Sequence, residues 1–138
     1  MRKLTKIEQA SADALGDVAL FHVTGTILNK NIQDCNAAIR DLLKREGVID
    51  YAALEPGDKV TLEGVYSDGT ETTISAYRAK TRGDKRIWFH GLKNYADAGD
   101  VMALLIRGGR LVIQNVTKGI AVAVFVIPAL DTMVQMSL

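Results

Sequence analysis

Two glycine-containing turn signals divide the second half of this chain into short apolar segments. The signals are Asp68-Gly69 and Gly108-Gly109. The segments that flank them are residues 59–66, 71–77, 100–106 and 110–116. Because glycine adopts the positive backbone angles that tight turns between antiparallel strands require, each signal predicts a β-hairpin. Two hairpins in one short chain favour a fold whose core is built on consecutive antiparallel strands.

Three further segments have the composition of strands and bring the predicted number to seven. They are residues 18–28, 87–90 and 120–127. Helices do not alternate with the later strands, so a parallel sheet built from strand–helix–strand units is not expected. We therefore predict a mainly β (α+β) fold, a small seven-stranded open barrel or pseudobarrel with one firm and one weaker helix. Residues 1–138 are expected to form it as a single domain.

The firm helix is predicted at residues 32–46. Its apolar positions fall on one face and are Ile32, Cys35, Ile39, Leu42 and Leu43. Asn31 is expected to cap its start and Gly47 to close its end. A weaker amphipathic helix is predicted near the start of the chain, at residues 4–15, and it ends at Gly16.

Composition indicates a folded globular chain. Of the 138 residues, 48% are hydrophobic, and the formal net charge is +1, which argues against an indiscriminate coat on nucleic acid. The single cysteine, Cys35, cannot form an internal disulfide, which fits a reducing cytoplasm. No apolar signal core follows the basic start of the chain, and the apolar run at residues 120–130 is too short to span a bilayer. We therefore expect a cytoplasmic protein with no membrane association.

The same apolar run is predicted to form a strand that begins at Ile120, ends at Ile127 and is stopped by Pro128. A strand that is apolar on both faces is usually covered on both. The interpretation we prefer is that the barrel core covers it. The alternative is that a second copy of the chain covers it, which would make this strand a homodimer contact.

Several residues with chemical potential are better explained by structure. Two loops, residues 54–58 and 95–100, each place Gly-Asp shortly before a strand and are interpreted as structural turns. Cys35 lies on the apolar face of the firm helix and is most simply a core residue. Trp88, the only tryptophan, is expected to anchor the core.

The strongest candidate for a functional surface is the basic run, residues 78–86, which places five cations and one carboxylate in nine positions. These residues are Arg78, Lys80, Arg82, Asp84, Lys85 and Arg86. Because predicted strands lie on both sides, the charges are expected at the end of a two-stranded arm. The structural alternative is a solvated hairpin tip, for which Gly83-Asp84 supplies turn residues. An arm of this kind also fits the DNA major groove, where Arg or Lys bonds guanine and a carboxylate accepts from cytosine.

The basic run contains a string that resembles a known DNA-binding segment. Lys80-Thr81-Arg82-Gly83-Asp84-Lys85-Arg86-Ile87 is similar to the Lys-Thr-Arg-Asn-Glu-Lys-Arg-Ile segment of the N-terminal effector-binding domain of the EcoRII restriction endonuclease. The resemblance extends over roughly residues 54–106, and about eight positions carry it. It implies a DNA-binding pseudobarrel of the type also found in plant transcription factors, with double-stranded DNA as the partner.

In that family the segment belongs to one of two arms that grip the DNA. By position, the resemblance implies contacts to bases and phosphates from Lys80, Arg82, Asp84, Lys85 and Arg86. We expect Arg78, Lys80 and Lys85 to contact phosphates. We expect Arg82, Asp84 and Arg86 to contact base edges. Asp84 stands where the family has Glu, so it keeps an acceptor but has a shorter reach.

Weaker candidates lie outside the basic run. Asn29, Lys30 and Asn31 are a candidate opposing arm, because they precede the firm helix and a helix N-terminus favours a nearby anion. His90 follows Trp88-Phe89 close to the basic run and could contact a phosphate or a base. Packing at a strand end is the simpler interpretation of His90.

The sequence offers no constellation for catalysis, for a cofactor or for a metal. His22 and His90 lie far apart, with no further ligands at metal-binding spacing. Asp58 and Glu71 belong to turn-like strings that lack the acid-x-lysine tripeptide of a metal-dependent nuclease. We therefore predict a stand-alone DNA-binding protein that is not an enzyme and needs no cofactor. The alternative is a protein-interaction module or inhibitor whose basic run binds an acidic partner.

Overall fold

The computed structural model describes residues 2–119. They form a seven-stranded mixed sheet, curled into a half-barrel, with three α-helices, which confirms the predicted small α+β pseudobarrel. The helices are α1 (Lys6–Leu15), α2 (Gly25–Lys30) and α3 (Ala37–Arg45). The strands are β1 (Ala19–His22), β2 (Gln33–Asp34), β3 (Lys59–Tyr66), β4 (Glu71–Arg78), β5 (Lys85–Phe89), β6 (Val101–Arg107) and β7 (Arg110–Asn115).

The order of strands across the sheet is β1-β6-β7-β3-β4-β5-β2. Both predicted hairpins are present, as β3–β4 and β6–β7, and both turn on glycines with positive φ. β3 and β7 lie side by side and parallel, with Val65 opposite Val112, so the two hairpins form one continuous sheet. The other strand pairs within the described residues are antiparallel.

The segment that leads into α3 connects the two ends of the sheet. The Cys35 N–H donates to the Lys85 carbonyl of β5 at 2.9 Å, and the Asn36 side-chain amide donates to the Leu20 carbonyl of β1 at 3.0 Å. α3 then buries Ile39, Leu42 and Leu43 in the core, as its predicted apolar face requires. Because β1 and β5 stand far apart in the strand order, these contacts hold the sheet in its curled form.

Aromatic side chains fill the inside of the curl. Phe21 of β1 and Phe89 of β5 stack with their ring centroids 4.9 Å apart. Trp88 is 7% exposed and Cys35 is 1% exposed, so their predicted core positions are confirmed. Burial raises the pKa of the Cys35 thiol to about 11, which keeps it protonated and unreactive at neutral pH.

The first predicted strand, residues 18–28, is wrong beyond His22. β1 ends there, and the Thr24 hydroxyl caps the short helix α2 by accepting a hydrogen bond from the Ile27 N–H at 3.1 Å. The strand stops because its partner β6 begins only at Val101, so beyond Val23 there is no further strand backbone to pair with. The apolar residues after Val23 continue in a helix instead.

The predicted start of the firm helix, at residue 32, is also wrong. α3 begins at Ala37, and its cap is the Asn36 side chain, which accepts from the Ile39 N–H at 2.9 Å. Asn31 has a left-handed conformation, with φ of 55°, and ends α2 instead of capping α3. The residues between them form β2, because their backbone pairs with β5.

Two other predicted helix boundaries are confirmed. Gly47 has a φ of 72° and donates its N–H to the Lys44 carbonyl at 3.0 Å, which terminates α3. α1 starts with a capping box in which Thr5 and Glu8 exchange side-chain and backbone hydrogen bonds, and it ends at Gly16.

The loop before β3 is a tight turn, and we call residues 54–58 the first Gly-Asp corner. The Asp58 carboxylate closes it by accepting from the Glu55 N–H at 2.9 Å. The corner also pairs with the end of β4, since the Gly57 N–H donates to the Arg78 carbonyl at 2.9 Å. In return the Arg78 N–H donates to the Asp58 carbonyl at 3.0 Å. The prediction of a structural turn is confirmed here.

The loop before β6 is built in the same way, and we call residues 96–100 the second Gly-Asp corner. The Asp100 carboxylate accepts from the Asp97 N–H at 2.9 Å. The Gly99 N–H donates to the Val23 carbonyl at 2.8 Å, and the Val23 N–H donates to the Asp100 carbonyl at 2.9 Å. Val23 thus pairs with the second Gly-Asp corner in the same way that the end of β4 pairs with the first.

The predicted apolar strand at residues 120–127 lies outside the described residues, and so does the homodimer contact expected through it. Residues 2–119 contain no helix that is both long and apolar enough to cross a membrane.

Candidate nucleic-acid interface

The basic run forms the end of the β4–β5 hairpin. Arg78 and Lys85 are the last paired residues of the two strands, and residues 79–84 form the loop between them. The Ala79 N–H donates to the Asp84 carbonyl, and the Gly83 N–H donates to the Ala79 carbonyl, both at 2.8 Å. The charges are therefore displayed on a short, internally bonded loop at the end of this hairpin, which we call the β4–β5 arm. Its two strands are not free, because the Arg78 end of β4 pairs with the first Gly-Asp corner and Lys85 of β5 pairs with Cys35.

Arg78 supports this loop from within. Its Nε donates to the Gly83 carbonyl at 2.9 Å, and its Nη1 donates to the Leu54 carbonyl of the first Gly-Asp corner at 2.7 Å. Gly83 has a φ of 73°, and a Cβ at this position would lie 2.5 Å from the Arg78 Nη2. A side chain here would therefore strain the backbone and displace the guanidinium.

A groove of about 480 Å³ lies between the loop and the sheet. Lys59 of β3, Tyr77 of β4 and Arg86 of β5 are direct neighbours across three strands, so they occupy one face and form the floor of the groove. The loop forms its wall. The groove brings together five of the six predicted residues of the basic run, namely Arg78, Lys80, Arg82, Asp84 and Arg86.

Asp84 lies between two of these cations. Its Oδ2 is 3.2 Å from the Arg86 Nη2 and 4.0 Å from the Arg82 Nη2. The Arg82 side chain is nevertheless 81% exposed, so this longer pair does little to restrain it. Arg82 is therefore a weakly paired, solvent-facing cation at the tip of the arm, whereas Asp84 and Arg86 form a closer pair at its base.

Arg86 is less exposed than Lys59, Lys80 and Arg82. Its side chain is 26% exposed, and its Nε has no hydrogen-bond partner among the described residues. Its backbone carbonyl accepts a hydrogen bond from the Tyr51 hydroxyl at 2.7 Å. Burial raises the pKa of the Tyr51 hydroxyl, so it stays protonated and keeps donating. This hydrogen bond fixes the backbone from which the Arg86 side chain extends into the groove.

Lys85 is not brought into the groove. It is exposed and alternates with Arg86 along β5, so it faces away from the groove floor. Its neighbours there are Arg40 and Lys44 of α3. Lys85 therefore belongs to a separate, mixed-charge part of the surface.

The weaker candidates lie away from the loop. Asn29, Lys30 and Asn31 are exposed, but they end α2 and do not line the groove, so their expected place before the N-terminus of α3 is wrong. His90 lies just beyond the far end of β5, and its Nε2 is 3.1 Å from the Ser75 hydroxyl oxygen. The structure therefore does not place either of these candidates beside the basic loop.

Sequence reasoning missed Lys59 and Tyr77 as groove residues. Neither belongs to the basic run, and Lys59 is nineteen positions before Arg78. The missing signal was the register of the β3–β4 hairpin. Counting outward from the turn at Asp68-Gly69 places Lys59 opposite Tyr77, on the same face as Arg86.

A second concentration of charge lies around the second Gly-Asp corner. Glu8 of α1 is buried and accepts two hydrogen bonds from the Arg2 guanidinium, at 2.6 and 2.7 Å, and one from the Thr117 hydroxyl at 2.6 Å. The Arg2 guanidinium also donates to the Gly99 carbonyl at 3.0 Å. The hydrogen bonds from Arg2, Thr117 and Thr5 hold the pKa of Glu8 well below its ordinary value. Its carboxylate is therefore charged at neutral pH.

Asp100 continues this arrangement. The buried Asn115 side-chain amide donates to its carboxylate at 2.8 Å, and the Lys118 ammonium lies 3.0 Å away. Burial opposes the ionisation of Asp100, but hydrogen bonds from the Asp97 N–H, Asn115 and Lys118 hold its pKa below the ordinary value. We call these residues the paired charge cluster, and they are Arg2, Glu8, Asp97, Asp100, Asn115, Thr117 and Lys118.

Among residues 2–119, no group of three or more His, Cys, Asp or Glu side chains is arranged to hold a metal ion. Comparisons of the chain with protein-family models, with curated proteins and with solved structures gave no significant match.

Proposed function

We propose that this chain is a non-catalytic duplex DNA-binding protein whose β4–β5 arm enters the major groove. The observation that carries the proposal is the concentration of unpaired or weakly paired cations at the end of a rigid hairpin. Lys80 and Arg82 are exposed, and Lys59 and Lys80 have no ion-pair partner among the described residues. Charges left in this state attract the phosphates of DNA without a prior cost of breaking internal contacts.

The loop is the part of the arm that can enter DNA. Residues 79–84 extend beyond the first Gly-Asp corner and Cys35, which pair with the ends of β4 and β5, and the major groove is about 12 Å wide. Arg82, at the exposed tip, is the residue best placed to bond a guanine edge. Lys80 and Lys85 are assigned to phosphates, on the groove side and on the α3 side of the arm respectively.

Two residues take more specific parts in the proposal. Arg78 uses its guanidinium to hold the loop, so we assign it to positioning the arm and not to a direct phosphate contact. Asp84 holds Arg86 through Oδ2, which leaves Oδ1 as an acceptor for a cytosine amino group. The resemblance to the EcoRII effector-binding domain supports the same surface, and a role related to restriction–modification belongs to the proposal on that ground alone.

The absence of catalysis in the proposal rests on what the candidate acids do. The Asp58 carboxylate closes the first Gly-Asp corner, and the Glu71 carboxylate lies 3.5 Å from Arg110. Both are engaged in turn or ion-pair contacts. We therefore expect duplex DNA to remain intact when it is incubated with the protein and Mg²⁺, even after long incubation.

The test is fluorescence anisotropy with a pool of randomised duplexes at low and moderate salt, followed by selection of preferred sites. We expect binding with a steep salt dependence, about −0.9 in log K per log salt for each phosphate contacted. Arg82→Ala should lower affinity for the selected site by about 10-fold or more and spare random DNA. Asp84→Ala should abolish the site preference while keeping or raising non-specific affinity. Absence of binding at low salt would reject the proposal and leave the acidic-protein partner as the alternative.

A further inference from the structure

Lys59 lines the groove but lies outside the basic run in sequence. It is the first residue of β3, immediately after the first Gly-Asp corner, and it is exposed. Tyr77 lies opposite it on β4, and Arg86 lies opposite Tyr77 on β5. The backbones of Lys59 and Arg86 are therefore about 10 Å apart across two strand spacings, close enough for two long side chains to converge above Tyr77.

Arg86 offers the complementary half of such a site. Its Nη2 bonds the Asp84 carboxylate at 3.2 Å, whereas its Nε is buried from solvent and lacks a partner among the described residues. A partly buried guanidinium with unused donors is stabilised by an oxyanion, because charge-assisted hydrogen bonds replace the water it has lost. One oxygen of the Asp84 carboxylate already bonds the guanidinium, and a phosphate presents oxygens of the same kind.

We propose that the groove binds one phosphate group between Lys59 and Arg86, with Lys80 of the loop closing the third side. The identification of this phosphate as one of the DNA backbone rests on the proposed function, and a free phosphoryl ligand offers the same chemistry. Because Lys59 is fixed to the sheet at the base of the arm, a backbone phosphate bound here sets how deeply the arm enters the groove. Lys59 is thus a binding residue for orientation, and the loop carries the sequence reading.

The first experiment compares Lys59→Ala with Lys93→Ala in the full chain. Lys93 is exposed and lies beyond the opposite end of β5, so the control removes the same charge from a different place. For Lys59→Ala we expect the slope of log K against log salt for duplex DNA to fall by about 0.9, which is one phosphate contact. Between about 50 and 200 mM salt, the affinity of Lys59→Ala for duplex DNA should therefore fall by a factor about 3.5-fold smaller than that of the wild type. Lys93→Ala should leave the slope unchanged.

The second experiment separates the phosphate site from DNA binding. Inorganic pyrophosphate is titrated into the wild type and into Lys59→Gln, which removes the charge but keeps a polar side chain one atom shorter, while backbone amide shifts are followed by NMR. We expect saturable shifts at Lys59, Tyr77 and Arg86 in the wild type, and a weaker response in the variant. Pyrophosphate binding at these amides without duplex binding would support the phosphate site and reject the proposed function.

Three results would overturn the inference. The first is duplex binding whose salt slope is the same in Lys59→Ala and Lys93→Ala. The second is a pyrophosphate response that Lys59→Gln does not weaken. The third is a pyrophosphate response spread over the cations of the whole surface, since a site formed by Lys59 and Arg86 must give localised shifts. None of these results by itself contradicts DNA binding by the loop.

Discussion

The two Gly-Asp corners have the same backbone hydrogen bonds, but the charged side chains around them are paired at one corner and largely unpaired at the other. Each is closed by an Asp carboxylate that accepts from the N–H three residues earlier, and each pairs through its Gly N–H and its Asp carbonyl with a strand end or its extension. At the second corner the charges belong to the paired charge cluster. At the first corner they line an open groove beside a basic loop.

The state of the charges differs in kind between the two places. Glu8 and Asp100 are buried, and each accepts several hydrogen bonds from neighbours. Lys59 and Lys80 have no ion-pair partner among the described residues, and Arg82 is 81% exposed. A corner of this design is therefore a structural turn. What distinguishes the proposed binding surface is the set of cations that the fold leaves without partners.

The largest effect is expected from a substitution in the core on which the curled sheet packs. Leu42 of α3 is 1% exposed in the core that supports the curled sheet. Leu42→Ala should lower the free energy of unfolding by about 2 to 5 kcal/mol, because it leaves a cavity in addition to the lost burial. Urea unfolding measures this change. An unchanged unfolding midpoint would contradict the position of α3 in the core.

A smaller loss is expected from the paired charge cluster. Asn115→Ala removes the amide that donates to the Asp100 carboxylate and to the Tyr95 carbonyl. We expect a loss of roughly 1 to 3 kcal/mol in the free energy of unfolding, since a buried acceptor is left short of donors. Duplex affinity, measured below the unfolding transition, should not change. Reduced duplex affinity in a folded Asn115→Ala protein would contradict the claim that the second Gly-Asp corner is only structural.

The paired charge cluster should also make stability depend on acid. Because the folded pKa of Glu8 is lowered, its contribution is present above the unfolded carboxyl pKa of about 4.3 and is lost as the pH falls below it. Glu8→Gln should be less stable near neutral pH and should lose less stability on acidification than the wild type. Urea unfolding at several pH values between about 7 and 3 tests this. Parallel curves for the two proteins would show that Glu8 does not carry the effect.

Local signals predicted a large part of the fold. The Asp68-Gly69 and Gly108-Gly109 turns, the glycine that ends α1 and the apolar face of α3 were all readable, because each depends on residues close together in sequence. The errors occurred where distant backbone decides. β2 replaces the expected first turn of the firm helix because it pairs with β5. The first strand ends at His22 because that residue is opposite Val101, the first residue of its antiparallel partner β6.

The groove was predictable only in part for the same reason. The cations of the basic run are contiguous, so composition revealed them. The contribution of Lys59 depends on the β3–β4 register, and the use of Arg78 as a support depends on carbonyls at Leu54 and Gly83 that the loop brings within reach. A pattern of charges predicts a surface, but it does not predict which charges the fold will satisfy internally.

The most direct test of the central claim compares two double charge reversals of equal net charge. Lys80→Glu with Arg82→Glu changes the arm, and Lys6→Glu with Lys93→Glu changes exposed positions outside it. Each pair lowers the formal net charge by four units, from +1 to −3. Both proteins should unfold at nearly the wild-type denaturant concentration, because all four side chains are exposed.

Duplex affinity across a salt series is then measured for both variants and the wild type. We predict that the arm variant loses measurable binding, whereas the control variant keeps most of the affinity and nearly the whole salt slope. Equal losses in the two variants would mean that only net charge matters. Binding by the arm variant as tight as that of the wild type would contradict the claim that the unpaired cations of the β4–β5 arm contact DNA.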